Sequence, residues 1–206
     1  MSTGLGIVET MASMLSVASS DGDAQPSSAA LALRAQRGDR DALSRLLTLH
    51  ASSVQRLCHH LLGSADGLDA AQEALERMVR RLDTFDPERG TFRTWALGVT
   101  RNLCRDRMRR LGLERAAFAS EAEPALDSAF TKEPSPERLA LARIGVEDLS
   151  RALASLPEGM RSAIVLFHAE GASYEEIARI LAVPVGTVMT WLHRGRLRLR
   201  ANLEEA

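Results

Sequence analysis

A short helix, a proline turn and a basic helix follow one another in residues 173–200. Ser173 and Glu176 form a Ser-x-x-Glu capping box, in which each side chain bonds a backbone amide that the start of a helix leaves free. Pro184 cannot continue this helix, so the chain turns and a second helix starts at Val185. The spacing predicts a helix-turn-helix, a motif whose second helix enters the major groove of DNA.

The two helices of this motif have an apolar and a polar side. The predicted apolar seam consists of Ile177, Leu181, Val188 and Leu192. Ala178 faces the turn, and its small side chain is expected to let the two helices approach closely. The predicted DNA-reading positions lie near the start of the second helix and are Met189, Thr190, His193, Arg194 and Arg196. Gly195 is predicted to lie on the same outward face. The guanidinium group of arginine can donate paired hydrogen bonds to the edge of a guanine base or to phosphate oxygens. The alternative is a helical hairpin whose arginines only face water.

The charges of the chain are segregated along the sequence. The totals nearly cancel, with 26 Lys and Arg against 27 Asp and Glu. Residues 89–115 nevertheless hold eight arginines against two acids, and residues 116–137 hold five acids against Lys132. Phosphate binding needs a positive surface, so the basic block keeps a nucleic-acid partner possible despite the near-neutral total. A solvated helix face is the ordinary alternative for either block.

Apolar residues recur at helical spacing in the first half of the chain. Asp39 can cap a helix that ends at Gly63, and a second helix is predicted over 67–82. Thr91 can cap a third helix, which ends at Gly112. The side chains predicted to line the inner face of the second helix are Leu68, Ala71, Leu75, Met78, Val79 and Leu82. An all-α first domain follows from these three helices.

Composition divides the chain into four parts. Residues 1–28 are rich in Ser, Ala, Gly and Asp without a period, which predicts a flexible tail. Residues 113–137 combine proline with acids and predict a flexible acidic linker. The fold predicted from these patterns is all-α, with two small helical domains at 29–112 and 138–206.

Several other classes of protein lack support in the sequence. No basic residue precedes the apolar residues of the first 20 positions, and no apolar run approaches about 18 residues, so we expect a cytoplasmic chain without membrane insertion. Cys58 and Cys104 form no Cys-x-x-Cys pair, which argues against a disulfide scaffold or zinc ribbon. A metal cluster of His50 with Cys58-His59-His60 is disfavoured, because adjacent residues on a helix point in different directions. No cofactor or enzymatic motif is recognisable.

The third helix combines aromatic and basic residues. Phe92 and Trp95 lie about one turn apart on a helix that also carries Arg93 and Arg101. Aromatic rings beside cations suit unstacked single-stranded bases, although such a pair is more often part of a core. Asn102 on the same helix can read a base edge with its amide or simply face water.

From about residue 29 onward, the order and spacing of these motifs resemble the extracytoplasmic-function sigma factors, the small two-domain class of bacterial transcription initiation factors. The matching pieces are Gly38-Asp39, Asp69-Ala70-Ala71-Gln72-Glu73, the run from Phe85 to Trp95, Asn102 with Asp106 and Arg109-Arg110, Leu156-Pro157-Glu158, the run from Ser173 to Ala178, and the run from Val183 to Val188. One departure is Thr190-Trp191, where many relatives carry Ser-Arg. The phosphate contact of that arginine is therefore lost in this chain.

For the first domain, the resemblance implies a sigma region 2 that docks on the clamp helices of the largest subunit of core RNA polymerase and opens the minus-10 promoter element. The implied docking residues are Asp69, Gln72, Glu73 and Arg77. The implied minus-10 residues are Phe92, Trp95, Arg101, Asn102, Arg105 and Arg109. Of these, Asn102 would contact a flipped base, and the three arginines would hold the strand by its phosphates.

For the second domain, the resemblance implies a sigma region 4 that reads the minus-35 element with the five positions already named on the basic helix. It also implies an acidic linker in the RNA path of the polymerase, an anti-sigma partner, a role in stress response and no covalent chemistry. The expected function is promoter-specific initiation by an alternative sigma factor. The competing function is a helix-turn-helix regulator that dimerises and binds operator duplex without polymerase; the docking motif and the long linker argue against it.

Overall fold

A computed structural model describes residues 27–110, 112 and 146–204. Within these ranges the regular structure is entirely helical, which confirms the predicted all-α fold. The α-helices are α1 (Ser28–Gln36), α2 (Arg40–Arg80), α3 (Phe92–Arg110), α4 (Val146–Ala154), α5 (Glu158–His168), α6 (Tyr174–Leu181) and α7 (Val185–Glu204). The predicted acidic linker lies outside the described residues, as do residues 1–26 of the predicted tail.

Helix α1 begins within the last residues of the segment predicted as a tail. The hydroxyl of Ser27 accepts a hydrogen bond from the amide of Ala30 at 3.3 Å and so caps α1. Ser28 is already helical. Ser27 and Ser28, the last two residues of the predicted tail, are therefore the cap and the first residue of α1.

The helix α2 contains a kink at Gly63. Its first segment starts at Asp39, whose carboxylate accepts hydrogen bonds from the amides of Asp41 and Ala42 at 3.1 and 3.0 Å. Gly63 has φ 82° and ψ 179°, a conformation that favours glycine. The two predicted helices are thus present, but they join directly at this kink without an intervening loop.

The helix α3 packs against α2 and completes the core of the first domain. Thr91 accepts a hydrogen bond from the amide of Thr94 at 3.2 Å, as expected of the predicted cap. The second segment of α2 is the part after the kink, residues 64–80. Its inner side is built from Ala70, Ala71, Ala74 and Met78. The prediction that Leu68 and Val79 face inward is wrong, since 70% and 42% of their surfaces are exposed.

The helix-turn-helix is present at the predicted residues. Ser173 and Glu176 form the reciprocal capping box at the start of α6. Ala182 takes a left-handed conformation (φ 56°, ψ 45°) that ends α6, and α7 starts at Val185. The predicted seam of Ile177, Leu181, Val188 and Leu192 is buried, as is Ala178. Local signals therefore position both helices of the motif.

Replacing Ser173 by alanine is expected to lower the free energy of unfolding by about 1 kcal/mol, because the amide of Glu176 loses its side-chain acceptor. Ser173→Asp keeps an acceptor at the same place and is the matched control. Urea unfolding followed by circular dichroism measures both variants. Equal stability of Ser173→Ala and the parent would contradict the assigned cap.

The two predicted domains lie in direct contact. Helix α3 packs against α6, and α2 packs against α4 and α5. The guanidinium of Arg161 on α5 donates to the carbonyl oxygen of Leu61 on α2 at 3.1 Å. A buried polar contact therefore joins the second domain to α2 of the first domain.

Candidate nucleic-acid interface

Four of the five predicted minus-35 residues lie together in the first half of α7. Met189 is 37% exposed and His193 is exposed, while Thr190 and Arg194 are half-buried. The hydroxyl of Thr190 donates to the carbonyl oxygen of Gly186 at 2.9 Å. The group offers a thioether, a hydroxyl and its methyl, an imidazole and a guanidinium within about two helical turns, which suits contacts to base edges and backbone.

Arg196 has different surroundings from the other four. Its guanidinium carbon lies 5.3 Å from the ring centroid of Phe167, and its Nε lies 3.5 Å from Nε2 of His168. Burial lowers the pKa of Arg196. The side chain is thus directed towards α5, so the prediction that Arg196 reads bases together with Met189 and His193 is corrected: its contacts hold α7 against α5.

Two glycines position α7. The prediction that Gly195 lies on the outward face of this helix is wrong, because Gly195 is buried against α5. A β-carbon on Gly159 would lie 2.6 Å from the ring of Trp191, and one on Gly195 would lie 2.6 Å from Cδ1 of Ile164. The absence of these β-carbons lets α7 pack closely against α5. The ring of Trp191 packs against Gly159. A glycine inside a helical pattern is the sequence signal that could have indicated this close packing.

The predicted minus-10 residues divide into an exposed and a buried group. Asn102 and Arg109 are exposed on α3, and the side chain of Arg105 is 37% exposed. Trp95 is half-buried, with its ring centroid 5.9 Å from that of Phe85. An amide, a ring edge and cationic groups are therefore available on this face for an unpaired strand.

Phe92 belongs to the core. It is 1% exposed, and its ring lies 5.1 to 5.2 Å from the rings of His50, Phe85 and Trp95. The prediction that Phe92 contacts a base is corrected by this burial. The ring instead supports Trp95 from beneath.

Arg101 is also buried, with 6% of its surface exposed. Its Nε and Nη2 donate to the two carboxylate oxygens of Glu158 on α5 at 2.9 and 2.7 Å. The predicted phosphate contact of Arg101 is therefore blocked in this arrangement of the domains.

The predicted docking residues lie on the second segment of α2. Asp69 and Gln72 are exposed. Glu73 accepts hydrogen bonds from Arg77 at 3.0 Å and from Arg107 on α3 at 2.8 Å, and the bond from Arg107 is the main cause that lowers the pKa of Glu73. Asp69 and Gln72 can thus meet a partner directly. Glu73 fixes α2 against α3 through Arg107, and Arg77 does so through Asp106 at 3.7 Å.

The exposed Leu68 extends this docking face. Sequence reasoning placed it in the core because its spacing fits the apolar stripe. An apolar side chain that is 70% exposed beside exposed polar groups is typical of a protein interface. Its position identifies Leu68 as a further candidate docking residue.

The cysteines and adjacent histidines of α2 lie in different surroundings. Cys58 is buried with its Sγ 3.7 Å from that of Cys104, while the adjacent His59 is exposed. The hydrogen bond with Cys58 and burial raise the pKa of the Cys104 thiol. Among residues 27–110, 112 and 146–204, no three His, Cys, Asp or Glu side chains are grouped to hold a metal ion.

None of the helices described in those residues is long and apolar enough to cross a membrane.

Two buried histidines make stability depend on pH. Burial, with the positive charge of Arg93, lowers the pKa of His50 to about 4, and burial with Arg196 does the same for His168. The folded chain then binds fewer protons than the unfolded chain between about pH 6.5 and pH 4, so stability is greatest above this window and falls as the pH falls through it.

We expect a loss on the order of 2 kcal/mol for each histidine between pH 7 and pH 5, since one pKa unit corresponds to about 1.4 kcal/mol. Urea unfolding at the two pH values measures the loss. His50→Gln cannot titrate and should reduce the difference, whereas the same change at the exposed His193 should not. An unchanged pH dependence in His50→Gln would contradict the assignment.

Comparison with known proteins matches both domains. Residues 46–114 match the Sigma-70 region 2 family and residues 147–199 match the Sigma-70, region 4 family. The ECF RNA polymerase sigma factor SigE of Mycolicibacterium smegmatis is 40% identical over 168 residues, which cover 79% of this chain and 63% of that protein. The ECF RNA polymerase sigma factor SigW of Bacillus subtilis is 32% identical over 178 residues, covering 82% and 93%.

Solved structures agree with these matches. CnrH in complex with the cytosolic domain of CnrY superposes with a TM-score of 0.60 at 27% identity, covering 85% of this chain and 96% of that chain. The sigma factor RpoE in complex with the anti-sigma factor NepR from Bartonella quintana gives a TM-score of 0.58 at 25% identity, covering 78% and 96%. The chain therefore belongs to the extracytoplasmic-function (ECF) family of RNA polymerase sigma factors.

Proposed function

We propose that this alternative sigma factor binds core RNA polymerase in the cytoplasm, reads the minus-35 element with α7 and opens the minus-10 element with α3. One observation carries the proposal: each sigma-region match contains one helix with outward polar and cationic side chains. In region 2 these include Asn102 and Arg109, and in region 4 they include His193 and Arg194. Two separate readers suit two separated promoter elements.

The minus-35 contact uses the start of α7. The capping box fixes α6, and the buried seam with α6 fixes α7, so Met189, Thr190 and His193 project from a rigid support. Entry of this end of the helix into the major groove brings these side chains to base edges and Arg194 to a base or a phosphate. Discrimination then depends on the few side chains that reach the bases.

The minus-10 contact uses the exposed face of α3. Opening a duplex costs a few kcal/mol for each base that leaves the stack. Binding of an extruded base by the amide of Asn102, beside the edge of Trp95, offsets that cost. Arg105 and Arg109 hold the adjacent phosphates, and the chain performs no covalent chemistry.

Core polymerase is the partner of the second segment of α2. Asp69 and Gln72 supply polar contacts, and Leu68 supplies an apolar contact at the same face. The ion pairs of Glu73 with Arg107 and of Arg77 with Asp106 keep α2 and α3 in a fixed relation. Docking through α2 therefore determines where the DNA-binding face of α3 lies on the polymerase.

An anti-sigma factor is a further proposed partner. The solved RpoE relative is in complex with an anti-sigma factor, which supports the same type of partner for this chain. Affinity capture of the full chain from its native cell, followed by mass spectrometry, tests for such a protein. Recovery of core polymerase subunits without any stoichiometric second partner would contradict the anti-sigma proposal.

Promoter opening tests the proposed function. We expect the chain alone to bind promoter duplex weakly, and the chain with core polymerase to make minus-10 thymines reactive to permanganate. A helix-turn-helix regulator acting without polymerase would instead bind the duplex tightly as a dimer and leave these thymines paired. That result would contradict the proposal.

Single substitutions should separate the two readers. Arg194→Ala is expected to reduce transcription about 5- to 100-fold and to relax preference within the minus-35 element, while Asn102→Ala is expected to act to a similar extent on the minus-10 element. Transcription of promoter libraries randomised at each element measures both effects. Arg45→Ala removes an exposed arginine from the first half of α2 and is the control. Uniform losses across all sequences in both variants would indicate phosphate contacts and contradict base reading.

A further inference from the structure

Carboxylates of the second domain bind arginines of the first domain. Glu158 accepts two hydrogen bonds from Arg101 at 2.9 and 2.7 Å, and these side chains are only 9% and 7% exposed. Arg101 also donates from Nη1 to the amide oxygen of Asn102 at 3.3 Å. The contact with Glu158 therefore holds Arg101, which is predicted to bind a phosphate. It also restrains Asn102, which is predicted to contact a base.

Glu170 forms a second contact of the same kind. Its carboxylate is fully buried and accepts hydrogen bonds from Arg56 on α2 at 3.0 and 3.1 Å and from Arg93 on α3 at 3.1 Å. Arg93 also donates to the backbone carbonyl oxygen of Glu170. Two arginines from different helices thus converge on one anion, which is the arrangement that a phosphate group requires.

The surrounding contacts continue along the same face. The hydroxyl of Thr94 lies 3.3 Å from a carboxylate oxygen of Glu176 on α6. A β-carbon on Gly90 would lie 3.1 Å from Nη1 of Arg179. Thr94 at the start of α3 and Gly90 just before it therefore contact α6 of the helix-turn-helix domain.

A carboxylate in such a site is replaceable. Burying an ion pair costs desolvation that largely offsets its Coulomb attraction, so a competing anion of similar geometry can displace it. Both phosphate and carboxylate accept paired hydrogen bonds from a guanidinium. A phosphate can therefore take the place of the Glu158 carboxylate at Arg101, or of the Glu170 carboxylate at Arg56 and Arg93, with the same type of hydrogen bond.

We propose that Arg56, Arg93 and Arg101 form a binding site for the phosphates of single-stranded DNA, and that Glu158 and Glu170 occupy this site in the free chain as an internal competitor. The domains separate when core polymerase binds, which releases the arginines for the strand. The inference rests on the proposed DNA-binding role of α3 and adds Arg56 and Arg93 to its ligands.

Fluorescence anisotropy with a labelled single-stranded minus-10 oligonucleotide tests this competition in the full chain without polymerase. The double variant Glu158→Gln with Glu170→Gln is expected to bind this oligonucleotide at least about tenfold more tightly than the parent. A tenfold gain is expected if the two carboxylates occupy the arginines in nine-tenths of the parent molecules, so that only one-tenth can bind the strand. Small-angle X-ray scattering of the same variant should show a larger radius of gyration. The control, Glu88→Gln with Glu175→Gln, removes the same charge from exposed positions and should change neither quantity.

Equal affinities of parent and double variant would overturn the proposal, as would an equal gain in the control. If the double variant fails to fold, Glu170→Gln alone carries the test, because the side-chain partners described for Glu170 all lie in the first domain. Neither measurement involves polymerase, so an unchanged affinity together with intact promoter opening by the holoenzyme would contradict the competition and leave the proposed function standing.

Discussion

Replacing Arg161 by methionine is expected to destabilise the chain by about 3–5 kcal/mol, a several-fold larger loss than that expected for Ser173→Ala. Arg161 is 4% exposed. Its guanidinium donates to the carbonyl oxygens of Leu61 at 3.1 Å, Ala154 at 2.6 Å and Leu156 at 3.1 Å. A buried carbonyl that loses its donor costs about 1–3 kcal/mol.

Methionine keeps much of the volume of the arginine stem, so the measured loss reports the hydrogen bonds rather than a cavity. The matched control is Arg151→Met, because the side chain of Arg151 is 72% exposed and its ion pair with Asp148 is worth less than about 1 kcal/mol. Urea unfolding measures both. A loss below about 1 kcal/mol for Arg161→Met would contradict the assigned contacts.

Two helical glycines should respond oppositely to alanine. A β-carbon on the buried Gly67 would lie 2.9 Å from the backbone Cα of His59, so the two segments of α2 must move apart. We expect a net loss of about 1–3 kcal/mol in the free energy of unfolding, because the higher helix propensity of alanine offsets only part of this strain. A β-carbon on Gly98 of α3 meets no atom within 4 Å, so alanine there should stabilise the helix by about 1 kcal/mol.

The two variants are therefore expected to differ by about 2–4 kcal/mol in the free energy of unfolding. Thermal and urea unfolding measure the difference. Because Gly67 immediately precedes the docking residues Leu68 and Asp69, its replacement should also weaken core binding in a pull-down. Equal stabilities of Gly67→Ala and Gly98→Ala would contradict the close approach at the kink.

The features that could be predicted from the sequence are those determined by neighbouring residues. The capping box of Ser173 and Glu176, the turn at Pro184 and the cap at Asp39 each depend on residues within a few positions. Local backbone chemistry decides such features, so the helix-turn-helix and the all-α fold followed from the sequence.

The features that could not be predicted depend on partners far along the chain. Glu158 lies 57 residues from Arg101, and Leu61 lies 100 residues from Arg161. A basic helix reads the same in sequence whether its arginines meet phosphate, water or a carboxylate of another domain. Similarly, an aromatic pair such as Phe92 and Trp95 does not reveal which ring the tertiary packing buries.

Runoff transcription tests the account most directly. Core RNA polymerase alone and core supplied with the purified chain are given linear templates that carry promoters enriched by the holoenzyme. We predict a discrete transcript of one length that requires both the chain and the intact minus-35 and minus-10 elements. Core activity that the chain does not change on any enriched template would contradict the account.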